Sequence, residues 1–213
     1  MTLRGVRPAG RSLGGGAPPL FHCPHRFEEA TYVRVLSYNV LGFQGWPERM
    51  MPKVPLTDET GAANLGFWVD LLRGLDCDII CLQEVDTVER MKHLASALDR
   101  YLAPFPSPTR YAGCVLSTSP IVETRLFNEC GPRGRTGLFS RFGGAALLEI
   151  GEERVWVVNL HLNPHDIEMR SAEGDLLARH LDTLLIVEPK AMVMGDFNCR
   201  VDEQVHELLR DRG

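Results

Sequence analysis

No apolar run in this 213-residue chain approaches the roughly 20 residues needed to cross a bilayer. The start also lacks the long apolar segment of a secretory signal. Excess positive charge is missing as well. Lys and Arg number 23 against 28 Asp and Glu, a formal net charge of −5. That balance disfavours a broadly basic nucleic-acid binder and leaves room for a local site that gathers cations. The six cysteines, Cys23, Cys77, Cys81, Cys114, Cys130 and Cys199, form no paired CxxC clusters, which argues against a structural zinc. Four of them sit in or beside apolar runs, where a reduced thiol packs as a small hydrophobe, so a reduced, cytoplasmic protein is the reading. A nucleophile elbow GxSxG is absent around "LSTS". The "GGG" at 14–16 follows no strand and so makes no nucleotide loop.

Acids are missing from residues 1–20, "MTLRGVRPAGRSLGGGAPPL", which are rich in Gly, Pro and Arg. Such a composition buries too little apolar surface to offset chain entropy, so residues 1–29 read as a disordered basic tail. An organelle transit segment shares the Arg-rich, acid-free character. His22, Cys23 and His25 lie together here but read as incidental. The remainder, 30–213, reads as one domain.

From residue 31 the pattern alternates. "TYVRVLSYNV", "DCDIICLQEV", "AGCVLSTSPI", "GGAALLEI", "RVWVVNLHL" and "AMVMGDFN" read as strands, several apolar on both faces and so buried between layers. The turn Gly151-Glu152-Glu153 joins two of them as a hairpin. Helical spacing is predicted over 62–73 (Leu65, Val69, Leu72) and over 87–101 (Val88, Met91, Leu94, Leu98). A third helix follows Asp166, a capping residue, with Leu177, Leu181, Leu184 and Leu185 on one face; Gly174 sits inside it. A short helix over 202–210 ends the pattern.

Four strands end in chemically useful groups: Asn39, Glu84, His161, and Asp196 with Asn198. Glu84 and Asp196 offer hard oxygen donors that suit Mg²⁺ or Mn²⁺ over zinc. Mg²⁺ takes one or two carboxylates and keeps positions open for phosphate oxygens. The amides of Asn39 and Asn198 can hold a carboxylate or bind a phosphate oxygen. His161 can donate to a developing oxyanion. Residues two apart on a strand share a face, which pairs Asn159 with His161 and, if "DFN" stays extended, Asp196 with Asn198. The set suits attack of water on a phosphate ester.

"LSYNV", "LQEV", "AGCVLSTSPI", "VNLHL" and "GDFN", in that order over residues 31 to about 200, resemble the endonuclease/exonuclease/phosphatase superfamily, the deoxyribonuclease I-like group. The resemblance implies an α/β fold, a four-layer sandwich of two mixed β-sheets flanked by helices. It implies a divalent-metal-dependent hydrolase of phosphate esters, with Glu84 and Asn39 at the metal. His161 would lie on the phosphate, Asp196 would position the water, and Asn198 would be its partner. The substrate would be a nucleic acid, a phosphoinositide or a phospholipid head group.

Three departures from the family pattern stand out. Leu41 occupies a place where some members have a second acid, and Cys114 stands near a usual Asn. The closing segments with a late aspartate and an Asp-His pair are not found, and His206 lies too near "GDFN" to serve. The expectation is therefore an incomplete domain with its C-terminal strands missing, marginal stability and impaired activity. The alternative is a non-catalytic fragment that binds a phosphorylated ligand or partner. Arg133, Arg135 and Arg141 are candidate phosphate contacts. Phe43, Trp46 and Pro47 are a candidate wall of the site.

Overall fold

The computed structural model describes residues 32–43, 58–109, 111–127 and 139–210, with the backbone alone over 58–64. Contacts divide the chain into Met1–Tyr32 and Val33–Gly213. The sheets and helices belong to the second unit.

Its order is β1 (Val35–Asn39), a 3-10 turn (Leu41–Phe43), α1 (Asp58–Leu75), β2 (Ile79–Val85), α2 (Val88–Ala97), β3 (Tyr101–Phe105), β4 (Ala112–Ser117), β5 (Ile121–Leu126), β6 (Phe142–Ile150), β7 (Glu153–His161), α3 (Ile167–Val187), β8 (Ala191–Asp196) and α4 (Gln204–Arg210). The strands form two mixed four-stranded sheets, β1-β2-β4-β3 and β5-β6-β7-β8. β1 runs parallel to β2, and β8 parallel to β7; every other pairing is antiparallel.

Period-two alternation builds the layers. On β2, Ile80 and Leu82 face a core shared with Leu65, Trp68 and Leu72 of α1 and Met91 and Leu94 of α2. Ile79 and Cys81 face the other way and meet Phe105, Val115, Phe142, Ala146 and Val157 between the sheets. On β7, Trp156, Val158 and Leu160 pack on Leu177, Leu181 and Leu184 of α3. The result is a four-layer sandwich, helix, sheet, sheet, helix. Each fully buried aliphatic or aromatic side chain contributes about 1.5–3 kcal/mol relative to exposure.

Caps fix the helix starts. Thr87 accepts the N–H of Arg90 at 3.2 Å, and Asp166 accepts that of Met169 at 3.1 Å. Gly174 lies inside α3 because α4 packs there: a Cβ would meet Val205 Cγ2 at 2.9 Å.

Two strands lie outside the six expected. β3 carries Pro104, which reads as a strand breaker but is tolerated on a sheet edge, where β3 lies. β5 carries Glu123, Thr124 and Arg125, half-exposed like an edge strand, with the Arg125–Glu123 ion pair at 2.7 Å. The helix expected over 87–101 stops at Ala97, because Asp99 adopts a left-handed φ of 53° and the chain turns into β3. The expected tail, with His22, Cys23 and His25, lies outside the described residues, as does Cys130. The four described cysteines, Cys77, Cys81, Cys114 and Cys199, are free thiols. Among the described residues, no helix is long and apolar enough to cross a membrane.

Candidate active site

Parallel pairing sends the C-terminal ends of β1 and β2 to one side, and likewise those of β7 and β8, where Asp196 stands opposite His161. Asn39 is the last residue of β1. Glu84 would by alternation join Leu82 in the helix-side core. A bulge between Gln83 and Val85 prevents this: Glu84 adopts φ 58°, Val85 takes the core place, and the carboxylate is released at the sheet edge. Such a conformation costs a bulky residue on the order of 1 kcal/mol and concentrates at functional sites. On β8, Gly195 has φ 143°, and a Cβ there would lie 2.1 Å from the Leu160 carbonyl oxygen. Only glycine lets β8 close on β7 at this point, which fixes where Asp196 emerges.

The four groups converge. Asn39 Nδ2 donates to Glu84 Oε1 at 3.1 Å and to Asp196 Oδ2 at 3.0 Å, while Asn39 Oδ1 accepts the Leu41 N–H at 3.0 Å. His161 Nε2 stands 4.0 Å from Glu84 Oε1 and 3.8 Å from Asp196 Oδ2. Its side chain is 2% exposed, against 28% for Asp196. Burial, as the largest influence, pushes the His161 imidazolium below the usual range, against the opposing pull of Asp196 and Glu84 and with help from Arg141. The ring is therefore neutral at neutral pH. It stands edge-on to Tyr111 and Phe142, with centroids 6.3 and 6.4 Å away.

Asn198 departs from the extended reading. It adopts φ 50°, so it does not share a strand face with Asp196. Instead its backbone N–H donates to Asp196 Oδ1 at 3.1 Å, and its Nδ2 donates to the Leu162 carbonyl at 3.1 Å. Asp196 is thus held on both oxygens. A cavity of about 440 Å³ opens beside Asn39 and Asp196, lined also by Ser37, Gln83, Asn198 and Cys199, with Glu84 and His161 outside its lining.

Beneath this cavity the sheets are joined by polar groups. Asn159 Nδ2 donates to the carbonyls of Leu82 and Cys114, both at 2.9 Å, and Gln83 Nε2 donates to Asn159 Oδ1 at 2.8 Å. Both side chains are buried. Gln83 is not among the residues the sequence pattern singles out. Its signal was the polar residue inside an otherwise apolar run. Asn159 was legible only as a neighbour of His161.

Other expected residues fall differently. Arg141 reaches the site region: its guanidinium lies 3.8 Å from the Tyr111 ring centroid and influences His161. Arg133, Arg135, Trp46 and Pro47 lie outside the described residues. Phe43 is not a wall of the site; it is fully buried against Trp68, with centroids 5.9 Å apart. Cys114 faces the helix-side core, so its substitution for a polar residue does not bear on the cavity. His206 Nε2 lies 3.2 Å from Cys199 Sγ and its ring stacks on Phe197, with centroids 6.0 Å apart.

Two carboxylates against one amide repel each other. Among the described residues no Lys or Arg is paired with either, and their nearest ionisable partner is a neutral imidazole. Among those residues, too, no group of three His, Cys, Asp or Glu is placed to hold a metal unaided. That combination fits a hard cation that completes its shell with water or phosphate oxygens.

The fold is similar to several solved structures. The catalytic domain of human Nocturnin with bound sulfate is 21% identical, with a TM-score of 0.59, covering 82% of this chain and 68% of that one. Mannosyl-6-phosphatase of Bacteroides thetaiotaomicron is 17% identical, with a TM-score of 0.63, covering 85% and 71%. A functionally unknown protein of Enterococcus faecalis is 18% identical, with a TM-score of 0.59; the match covers 69% of this chain and 63% of that protein's length. No curated protein sequence matches. The model of the Endonuclease/Exonuclease/phosphatase family, however, matches residues 36–213, the stretch that carries both sheets and all the converging side chains, and on that match the chain belongs to this family.

Proposed function

We propose that this domain hydrolyses a phosphate ester with a divalent cation, Mg²⁺ or Mn²⁺, held at Glu84 beside Asn39. The carrying observation is that two carboxylates from different sheets meet at the Asn39 amide, with a neutral imidazole beside them. When bound, the cation supplies Lewis-acid stabilisation of charge on the phosphoryl oxygens. The chain's own residues supply the rest. Asp196, fixed by Asn39 and by the Asn198 backbone, orients the attacking water and takes its proton as the new P–O bond forms and the ester P–O bond breaks. His161 donates from Nε2 to a phosphoryl oxygen. Asn39 is the brace that holds both carboxylates in register, and its Oδ1 stays occupied by Leu41. The leaving oxygen takes its proton from water.

The test is a hydrolysis screen with Mg²⁺ against DNA, RNA, phosphoinositides and sphingomyelin, run beside Mg²⁺ titration of the wild type, E84Q and D196N. Activity should vanish with chelator and fall about 10²–10⁴-fold in either variant. Equal turnover in wild type and both variants would overturn the proposal. Phosphate binding without any turnover would instead point to a non-catalytic binding role.

A further inference from the structure

Beneath the site, α3 carries a carboxylate for which the hydrolytic chemistry has no direct use. Glu173 is 2% exposed. Among the described residues it forms no ion pair. A buried carboxylate is expensive unless hydrogen bonds satisfy it, and here both oxygens accept backbone N–H groups. Oε1 takes that of Ser140 at 2.6 Å, and Oε2 takes that of Asn163 at 2.8 Å. These amides belong to two separate connections, one entering β6 and one leaving β7. Ser140 immediately precedes Arg141, and Asn163 follows His161 by two residues.

The neighbouring turn of α3 reinforces the second attachment. Arg170, also buried, donates Nη1 to the Asn163 carbonyl at 3.0 Å and is bidentate to Glu203 at 2.9 and 3.0 Å. Glu203 in turn accepts the Arg200 N–H at 3.1 Å, two residues past Asn198. The peptide groups flanking Asn163 are therefore held on both sides by one helix, through N–H and C=O. Three connections that carry Arg141, His161 and Asn198 all rest on two side chains one helical turn apart.

We propose that Glu173 is a positioning residue that sets the distance between the Arg141–Tyr111 stack and His161 by clamping Ser140 and Asn163. This rests on reading the carboxylate pair as a phosphate-ester site. An apolar residue of similar volume would fill the same space without desolvating a charge. The carboxylate's two acceptors are what hold two donors from different connections in one plane, and a displacement of about 1 Å at a catalytic group costs up to about 10²-fold.

The test is E173Q in the full chain. Glutamine accepts one N–H and turns its own NH₂ against the other, so one clamp opens. Kinetics on the ester found in the screen should show a 10- to 100-fold loss, the range typical of outer-shell changes. In an R141A background E173Q should add little further loss. A purely structural role would give an additive loss, or a lowered melting temperature with unchanged kinetics, and either result overturns the proposal. Two readouts do not need turnover: amide hydrogen exchange at Ser140 and Asn163 should accelerate, and inorganic phosphate should bind more weakly. If the wild type hydrolyses nothing, the functional reading fails, and those two readouts still decide the role of Glu173. E173D keeps the charge and shortens the reach by one methylene. It is read by the same criteria should E173Q not fold.

Discussion

The parallel and antiparallel parts of each sheet divide the work. β1 with β2, and β7 with β8, are the parallel pairs, and they supply Asn39, Glu84, His161 and Asp196. The antiparallel remainder, β3 and β4 in one sheet and β5 and β6 in the other, supplies packing: Phe105, Val115, Phe142 and Ala146 between the layers. The reason is directional. Parallel neighbours finish on the same side, so their terminal groups gather; antiparallel neighbours finish on opposite sides, so theirs are dispersed. Chemistry therefore collects where strands run together, whereas packing is shared by all of them.

Substitutions can break that division. Phe105→Ala on β3, fully buried and 6.3 Å from the Phe142 ring, should cost about 3–5 kcal/mol in denaturant unfolding and leave the turnover of the folded fraction unchanged. A changed turnover would mean the antiparallel part is not merely packing. Asn159→Ala should sharpen the contrast, because Asn159 belongs to a parallel pair yet bridges the sheets. It removes one of the three acceptors of Gln83 Nε2 and the shared donor to two carbonyls, so a loss of roughly 1–3 kcal/mol is expected and, on the proposed function, weaker Mg²⁺ binding at the neighbouring Glu84. Asp166→Ala removes a helix cap that touches none of the converging side chains, for about 1 kcal/mol and no change in metal affinity.

The smallest effect is a pH slope. His180 of α3 is stacked on Phe127, with centroids 4.1 Å apart, and burial, then Arg179, hold its imidazolium below the ordinary value of 6.5. The unfolded chain therefore takes up this proton first, so stability is lost as pH falls below about 6.5 and is fully present above it. Melting curves of His180→Leu should show a shallower decline over that window.

Much of this was legible in the residues. Continuous apolar runs gave the buried strands, and polar groups at their ends gave the four converging side chains, because a buried strand has little reason to finish in an acid except where it leaves the core. Three features were not legible. The left-handed turn at Asn198 and the bulge at Glu84 arise from contacts made by distant carbonyls and core residues, which no local pattern records. β3 hid behind Pro104, whose cost disappears only once the strand is known to lie on an edge. The role of Glu173 was invisible because its partners are backbone amides, which every residue possesses.

The Asn39–Asp196 hydrogen bond spans 157 residues. Closing so large a loop is entropically slow, and neither half of the polypeptide holds enough of the constellation to capture an ion alone. On the proposed function, ion capture would be a late event of maturation, a built-in report that both sheets have docked. Partial opening of the sandwich would silence the chemistry before the helices melt.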